Sequence, residues 1–182
     1  MEKVRFRTTP AKQVERAAAE GWGYDGSQST EQEVLQLIYA LVRVEKPEIL
    51  VETGTFAAAG TSAITTGIKE NGCGHLWTVE FDEEFKYKTA PEVTFVTADS
   101  KVWARDSAPD NIDFAFLDCG APEHRIEVMR NIWPKVVAGG LVLCHDIFFY
   151  HDEFLERLEE AAGQRANVTF PALNGLALWR KQ

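Results

Sequence analysis

Carboxylates stand at the ends of five apolar runs in the sequence, where residue type and position together suggest chemistry. The acids are Glu52, Glu80, Asp99, Asp118 and Asp146, and His145 precedes the last of them. One such acid means little, because short polar residues often cap strands and helices, but five at equivalent positions are difficult to attribute to capping alone. Carboxylates accept hydrogen bonds from hydroxyl groups and bind cations, and histidine exchanges protons near neutral pH. The pattern therefore indicates a binding or catalytic site.

The apolar runs alternate with helical patterns, which is typical of parallel βαβ units. Each run is continuous, as expected for strands that helices cover on both faces. The parallel strands are predicted at Glu48–Glu52, His75–Phe81, Val93–Thr97, Asp113–Leu117 and Leu141–Cys144. Two further runs, Asn167–Phe170 and Leu176–Arg180, are separated by Pro171 and Asn174-Gly175 and predict a closing antiparallel pair. In an open parallel sheet the carboxyl ends of the strands meet at one edge, so the five acids should converge there.

Three helices are predicted around these strands. The spacing of Thr30 and Glu33 predicts a capping box for a helix whose apolar face carries Val34, Leu37, Ile38 and Leu41. A second helix runs from about Pro122 to Trp133, and Gly139-Gly140 then turns the chain into the next strand. The third covers about Asp152 to Ala162.

The length of 182 residues suits a single domain over residues 1–182, with residues 1–29 as an N-terminal extension or lid. Gly21–Gly26 mixes glycines with aromatic residues, and it is either a mobile loop that covers the site or a loop packed on the surface. No apolar run approaches the roughly 20 residues that cross a bilayer, and Met1–Pro10 lacks the apolar stretch of a signal peptide. We therefore expect a cytoplasmic protein without a membrane partner.

The formal charge of −9 opposes attraction to phosphate backbones, so nucleic acid is not an expected partner. The three cysteines, Cys73, Cys119 and Cys144, are odd in number and lack the spacing of a zinc site, which predicts free thiols. Because most soluble oligomers are symmetric dimers, a homodimer is the default expectation.

The turn after the first strand indicates which ligand the site would hold. Gly54 would permit close backbone approach or a positive φ, although a glycine after a strand is more often a structural turn. Glu80 ends the next strand, where a carboxylate can accept hydrogen bonds from both hydroxyls of a ribose. Dinucleotide sites place a glycine where this chain has Phe56, and Glu52 would repel a pyrophosphate but attract an ammonium group. A cationic nucleoside without phosphate therefore fits better than NAD.

With these motifs the chain resembles the class I S-adenosylmethionine (SAM)-dependent methyltransferases, and more closely the small O-methyltransferase-like group with an E-x-G-T-x-x-G-x-S first motif. The resemblance covers roughly Thr30 to the C-terminus, in the runs LVETGTF, LWTVEFD, VTADS, DFAFLDCG and AGGLVLCHDI. It implies an α/β fold with a Rossmann-like, doubly wound, mostly parallel seven-stranded sheet whose last strand is antiparallel. It further implies SAM as the cofactor and a small-molecule methyl acceptor, methylated at a hydroxyl oxygen.

The resemblance also implies roles for individual residues. It places the methionine part of the cofactor beside one group of residues, Glu52, Gly54, Thr55 and Phe56, and it places the ribose on Glu80, the adenine near Asp99 and Ser100, and the transferring methyl group beside Asp118. Three positions depart from the family pattern: its second glycine falls on Ala58, its serine on Gly60, and a histidine common after the fourth-strand acid on Ala121.

Metal-dependent members of the family hold a divalent cation with the fourth-strand acid and an acidic pair after strand five. Asp118, His145 and Asp146 resemble that trio, with a histidine that suits manganese, iron or zinc better than magnesium. Alternatively, Asp146 caps the helix that follows it. The candidate bases are His145, His124 and Asp118; His145 is favoured because it stands at a strand's carboxyl end and its ordinary pKa of about 6.5 lies close to working pH.

Two other functions remain open from the sequence. A nicotinamide-dependent oxidoreductase would share the sheet, although Phe56 and Glu52 count against it. A catalytically silent nucleoside-binding or assembly protein would explain the departures at Ala58, Gly60 and Ala121 as a lost activity.

Overall fold

A seven-stranded sheet forms the centre of the computed structural model, which describes residues 30–82, 90–148, 153–171 and 174–182. Its strands are β1 (Ile49–Thr53), β2 (His75–Glu80), β3 (Val93–Thr97), β4 (Ile112–Leu117), β5 (Val136–His145), β6 (Val168–Phe170) and β7 (Leu176–Arg180). Their spatial order is β3-β2-β1-β4-β5-β7-β6. The first five are parallel, and β7 is antiparallel to both of its neighbours. The predicted doubly wound sheet with a reversed last strand is confirmed.

In the described part of the chain, five helices cover the two faces of the sheet: α1 (Gln32–Glu45), α2 (Ala59–Asn71), α3 (Ser100–Asp106), α4 (Pro122–Ile132) and α5 (Glu153–Ala162). The apolar sides of α1 and α2 form one core cluster with Leu50, Phe114 and Leu143 of the sheet. Those of α3, α4 and α5 form a second cluster on the opposite face with Val51 and Ala115. Alternate residues of each central strand therefore enter different cores, which explains the continuous apolar runs. None of the described helices is both long enough and apolar enough to span a membrane.

Two local predictions are wrong. Thr30 and Glu33 do not form a capping box: α1 begins at Gln32 behind Glu31, and the Thr30 hydroxyl donates instead to Asp118 Oδ2 at 2.9 Å. A long-range acceptor therefore replaces the local one. Gly139-Gly140 does not precede the fifth strand but lies inside it, with Gly139 at φ +85°.

The glycine pair in β5 accompanies a change of strand register. The pairing of β4 with β5 shifts between Ile112 and Phe114, so an extra length of β5 faces β4 at this point. A Cβ at Gly140 would lie 2.7 Å from Val136 Cγ1, which only glycine avoids. The glycines therefore mark a register shift inside a continuous strand rather than a turn before it.

Helix ends agree with the predictions to within a few residues. The second predicted helix ends at Ile132, because Trp133–Lys135 tightens into a 3₁₀ turn. Residues 1–29, with the predicted lid and the Gly21–Gly26 loop, lie outside the described residues, as does Asp152 at the start of the third predicted helix. The three cysteines are free, as predicted.

Candidate active site at the carboxyl edge of the sheet

A cleft of about 560 Å³ opens where the direction of strand succession reverses, between β1 and β4. Ligands of open α/β sheets bind at this switch point, and the volume is in the range of small-molecule pockets. Most of the predicted site residues line it, namely Gly54, Thr55, Phe56, Glu80, Asp99, Ser100, Asp118 and Asp146. The two other predicted residues, Glu52 and His145, are buried and are not among the lining residues that the structure describes.

The turn after β1 requires glycine for steric reasons. Gly54 adopts φ +89°, and a Cβ at this position would lie 2.7 Å from the carbonyl carbon of Asp118. Its amide donates to Val79 O, and the amide of Asp118 donates to Thr53 O, each at 2.9 Å. The chain therefore passes between two neighbouring strand ends with no room for a side chain.

Glu80 is fixed at the cleft wall by backbone amides. Its Oε2 accepts from the amide of Phe56 at 2.9 Å, and its Oε1 accepts from the amides of Phe81 and Asp82 at 2.9 and 3.3 Å. A carboxylate offers roughly four lone-pair directions, so one remains for a ligand. Glu80 thus ties the β1 turn to the end of β2 while it faces the cleft.

Glu52 lies beneath the turn. Its carboxylate accepts hydrogen bonds from the hydroxyls of Thr61 and Thr78, and the side chain of Thr78 in turn contacts Thr55. Burial raises the pKa of Glu52 to about 7, although these hydroxyls oppose the shift; the charges of Asp118 and Glu80 add to it. A Cβ at Gly60 would overlap Oε1 of this carboxylate, so the glycine in place of the family's serine makes room for Glu52.

The residues predicted near adenine form the far wall. Asp99 caps α3 by accepting from the amides of Lys101 and Val102 at 2.8 and 3.4 Å. Ser100 Oγ lies 2.7 Å from His124 Nε2 and also donates to Cys119 Sγ. His124 lies in the first turn of α4 and lines the cleft, and burial lowers its pKa.

His145 lies between carboxylates. Its Nδ1 is 3.2 Å from both oxygens of Asp118 and 3.3 Å from Asp146 Oδ1, and its Nε2 contacts Glu31. Burial disfavours the charged imidazole, but the charge of Asp118 and the hydrogen bonds with Asp118 and Glu31 raise the pKa of His145 well above its ordinary value. An imidazolium with both nitrogens engaged is poorly placed to act as a base.

Asp118 and Asp146 differ in electrostatics although both face the cleft. Burial alone would raise the pKa of Asp118. The charge of His145, the hydrogen bond between His145 and Asp118, and the charge of Arg125 lower this pKa. The pKa of Asp146 is raised, chiefly because the side chain is buried, with the charge of Asp118 acting in the same direction. Asp118 is therefore held ionised, whereas Asp146 takes up a proton more readily.

Sequence reasoning missed three residues of this region: Thr30, Glu31 and Arg125. Glu31 is 3% exposed, and its Oε1 also accepts from the amide of Asn174 at 3.0 Å. Arg125, equally buried, occupies a position on α4 whose neighbours at helical spacing, Val128, Met129 and Ile132, belong to the core. A cation in an apolar stripe is a signal that the sequence contained. We call Glu31, Asp118, Arg125, His145 and Asp146 the charge cluster.

The predicted metal trio meets the distance requirement of a divalent ion, since donor atoms of Asp118, His145 and Asp146 all lie within 4.8 Å of one another. The charges around them do not fit an ion. Nδ1 of His145 faces both acids, and Nη2 of Arg125 lies 3.7 Å from Asp118 Oδ1 and 3.4 Å from Asp146 Oδ2. The donors are thus already shared by two cations of the chain itself.

The model of a family described as a methyltransferase domain matches residues 51–147, more than half of the chain. The match extends from β1 to just beyond β5 and contains every predicted site residue, whereas Thr30 and Glu31 lie outside it. No curated protein is significantly similar to the chain in sequence.

Solved structures share the fold. The SAH-bound methyltransferase PaMTH1 from Podospora anserina matches with a TM-score of 0.69 and 14% identity over 100% of this chain and 92% of that one. The O-methyltransferase TomG from Streptomyces achromogenes, involved in tomaymycin synthesis and solved in complex with SAM, matches with a TM-score of 0.65 and 14% identity over 97% and 91%. A methyltransferase from Geobacter sulfurreducens matches with a TM-score of 0.66 and 15% identity over 99% and 93%. At these identities the likeness establishes the fold.

Proposed function

The chain belongs to the methyltransferase domain family; on this premise we propose that it is a class I methyltransferase that uses SAM as its cofactor and methylates a hydroxyl oxygen of a small-molecule acceptor. One observation carries the proposal. The cleft at the switch point joins the Gly54 turn and the Glu80 carboxylate to Asp118 and Asp146 in one continuous wall. We assign the turn and Glu80 to the cofactor and the two aspartates to the acceptor.

The charge of the wall supports SAM over a dinucleotide. Among the described residues, four carboxylates line the cleft, those of Glu80, Asp99, Asp118 and Asp146, together with the guanidinium of Arg125. Such a wall repels a pyrophosphate and attracts a sulfonium or an ammonium group. Glu80 retains a lone-pair direction for a ribose hydroxyl.

The remaining cofactor assignments follow the order of the strand ends. Gly54, Thr55 and Phe56 would surround the methionine part, and Asp99 with Ser100 would bound the adenine side. Glu52 was predicted to bind the ammonium group, but we assign it a different role. It supports the turn from below, through Thr61 and Thr78. The cleft of about 560 Å³ has to hold cofactor and acceptor together, which favours a small acceptor.

When bound, SAM supplies a methyl group that its sulfonium makes electrophilic, so the chain has to position the acceptor and remove one proton. Positioning in line can supply about 7 to 11 kcal/mol. We assign removal of the acceptor's proton to Asp146. This side chain lines the cleft, and the raised pKa of its carboxyl lies closer to working pH. Asp118 orients the acceptor hydroxyl, and His145 and Arg125 hold the two acids. TomG, an O-methyltransferase, shares the fold, which supports oxygen as the target.

Binding is tested by thermal unfolding with four ligands: SAM, S-adenosylhomocysteine, NAD and NADH. We expect the first two to raise the Tm, since a ligand at 100 times its Kd adds about 2.7 kcal/mol of stability. A shift with NADH alone would instead identify an oxidoreductase.

Turnover is tested with methyl-labelled SAM and a panel of small alcohols, phenols, amines and thiols. We expect labelled product from hydroxyl acceptors, and Asp146→Asn should lower the rate by about 10²- to 10⁴-fold while SAM still binds. Binding of SAM with no product from any acceptor would favour the silent nucleoside-binding protein, and product from amines or thiols alone would refute oxygen as the target.

A further inference from the structure

Backbone carbonyls hold Arg125 at the shortest distances, and Asp146 Oδ2 accepts a longer hydrogen bond from its Nη2 at 3.4 Å. Its Nε donates to Cys119 O at 3.0 Å, Nη1 donates to His145 O at 2.6 Å, and Nη2 donates to Gly120 O at 3.2 Å. These carbonyls come from the loop after β4 and from the last residue of β5. The planar guanidinium is thereby locked between two strand ends, and it keeps its charge at every accessible pH.

The guanidinium already neutralises part of the negative charge that would attract a bound ion. Its Nη2 is 3.4 Å from Asp146 Oδ2 and 3.7 Å from Asp118 Oδ1, the two acids that would have to bind the ion. A divalent ion at coordination distances near 2.0 to 2.6 Å from these acids would lie within a few ångströms of a fixed positive charge. The two cations therefore compete for the same carboxylates.

We propose that Arg125 replaces the metal ion of metal-dependent relatives: it is a built-in cation that positions Asp118 and Asp146, and the wild-type site functions without a divalent metal. Arg125 is a positioning residue for these two acids. If the proposed function is right, an acceptor does not have to chelate an ion through two neighbouring oxygens, and a single hydroxyl is sufficient for recognition.

The test is binding of Co²⁺, whose visible absorption reports coordination, to the purified protein without cofactor or acceptor. The variants are Arg125→Met, Arg125→Met with Asp118→Asn, and the control Arg130→Met, which removes an exposed arginine from the same helix. Wild type and Arg130→Met should bind Co²⁺ only weakly. Arg125→Met should bind it about 10- to 100-fold more tightly, within the range by which neighbouring groups tune metal affinity. The added Asp118→Asn should abolish the gain.

Two results would overturn the proposal: tight, Asp118-dependent Co²⁺ or Mn²⁺ binding by the wild type, or a folded Arg125→Met variant with no gain in affinity. Since Arg125→Met leaves three carbonyls without their donor, it could fail to fold, and Arg125→Lys then serves in its place. The lysine keeps the charge, so it should bind Co²⁺ no better than wild type, and a gain would contradict the proposal. Whichever variant folds, tight Co²⁺ binding by the wild type would refute the proposal.

A separate assay distinguishes this proposal from the proposed function. Wild-type methyl transfer should be unchanged by EDTA and by added Mn²⁺, and loss of the rate in EDTA would refute metal independence. Absence of methyl transfer under all conditions would refute only the proposed function, because the Co²⁺ experiment uses neither SAM nor acceptor.

Discussion

Backbone geometry holds the half of the cleft at β1 and β2, which we call the backbone-held half. Buried charges hold the half at β4 and β5, the charge-held half. In the first half, Gly54 fits between strand ends and Glu80 collects three backbone amides. In the second, His145 lies between carboxylates, and Arg125 reaches across two strand ends. The first half comes from two consecutive strands, while the second needs the start of α1 and the first turns of α4.

The difference suggests a division between a shared and a variable function. A cofactor is the same molecule in every methyltransferase of the class, and a turn fixed by its own backbone can hold it. Proton removal depends on the acceptor, and the charge cluster can be adjusted to different acceptors one residue at a time. Mutations in the two halves should therefore change different properties of the protein, and by different amounts.

The largest expected effect is in the backbone-held half. Gly54→Val would place a branched side chain against Asp118 at φ +89°, so we expect a loss of at least about 5 kcal/mol in unfolding free energy. Urea denaturation followed by circular dichroism measures it. Gly72→Ala is the control: its φ is +69° but nothing lies within 4 Å of the added Cβ, so only about 1 to 2 kcal/mol should be lost. Equal losses in both variants would mean that the close approach to Asp118 does not matter.

In the charge-held half, Glu31→Ala should cost about 3 to 5 kcal/mol of stability, because it leaves the His145 imidazolium without one of its buried partners. The exposed Glu33→Ala, in the first turn of the helix that follows Glu31, should cost much less. Below the Tm, we expect Glu31→Ala to keep its affinity for SAM and to lose methyl transfer. Calorimetric titration and turnover measure the two properties, and a parallel loss of both would show that the halves are not separable.

The acids at the strand ends of both halves could be predicted from the sequence, whereas two residues that hold the second half, Glu31 and Arg125, were not predicted. Apolar runs locate the strand ends, and topology brings the acids after them to one edge, so Gly54, Glu80 and Asp118 could be found without a structure. Glu31 could not, because its partner His145 is 114 residues away and its local pattern indicated a helix start. Arg125 was recognisable only as a cation in an apolar stripe. Side chains that act through tertiary contacts leave little trace in local patterns.

A pH titration of stability should report on Glu52, beneath the backbone-held turn. Its pKa rises from 4.5 in the unfolded chain to about 7 in the folded protein, so the folded state holds this proton more tightly. Stability from this group is fully present below pH 4.5 and is lost as pH rises through 7; at 1.36 kcal/mol per unit the loss is about 3 kcal/mol. Glu52→Gln cannot titrate there, so its stability relative to wild type should increase over this window. A constant difference between the two proteins would refute the shift.

The smallest predicted effect concerns cofactor affinity. Glu80→Ala removes the carboxylate that we assign to the ribose and also releases the amides of Phe56, Phe81 and Asp82. Calorimetry should show SAM binding weaker by about 1.5 to 3 kcal/mol, the range for hydrogen bonds to a charged group. The control Glu48→Gln removes a carboxylate just before β1, at the opposite edge of the sheet, and should leave the Kd unchanged. Because Glu80 belongs to the backbone-held half, its loss should lower affinity without changing the pH dependence of methyl transfer. Unchanged affinity in a folded Glu80→Ala protein would remove Glu80 from the cofactor site, and a changed pH dependence would mean that the two halves share their protons.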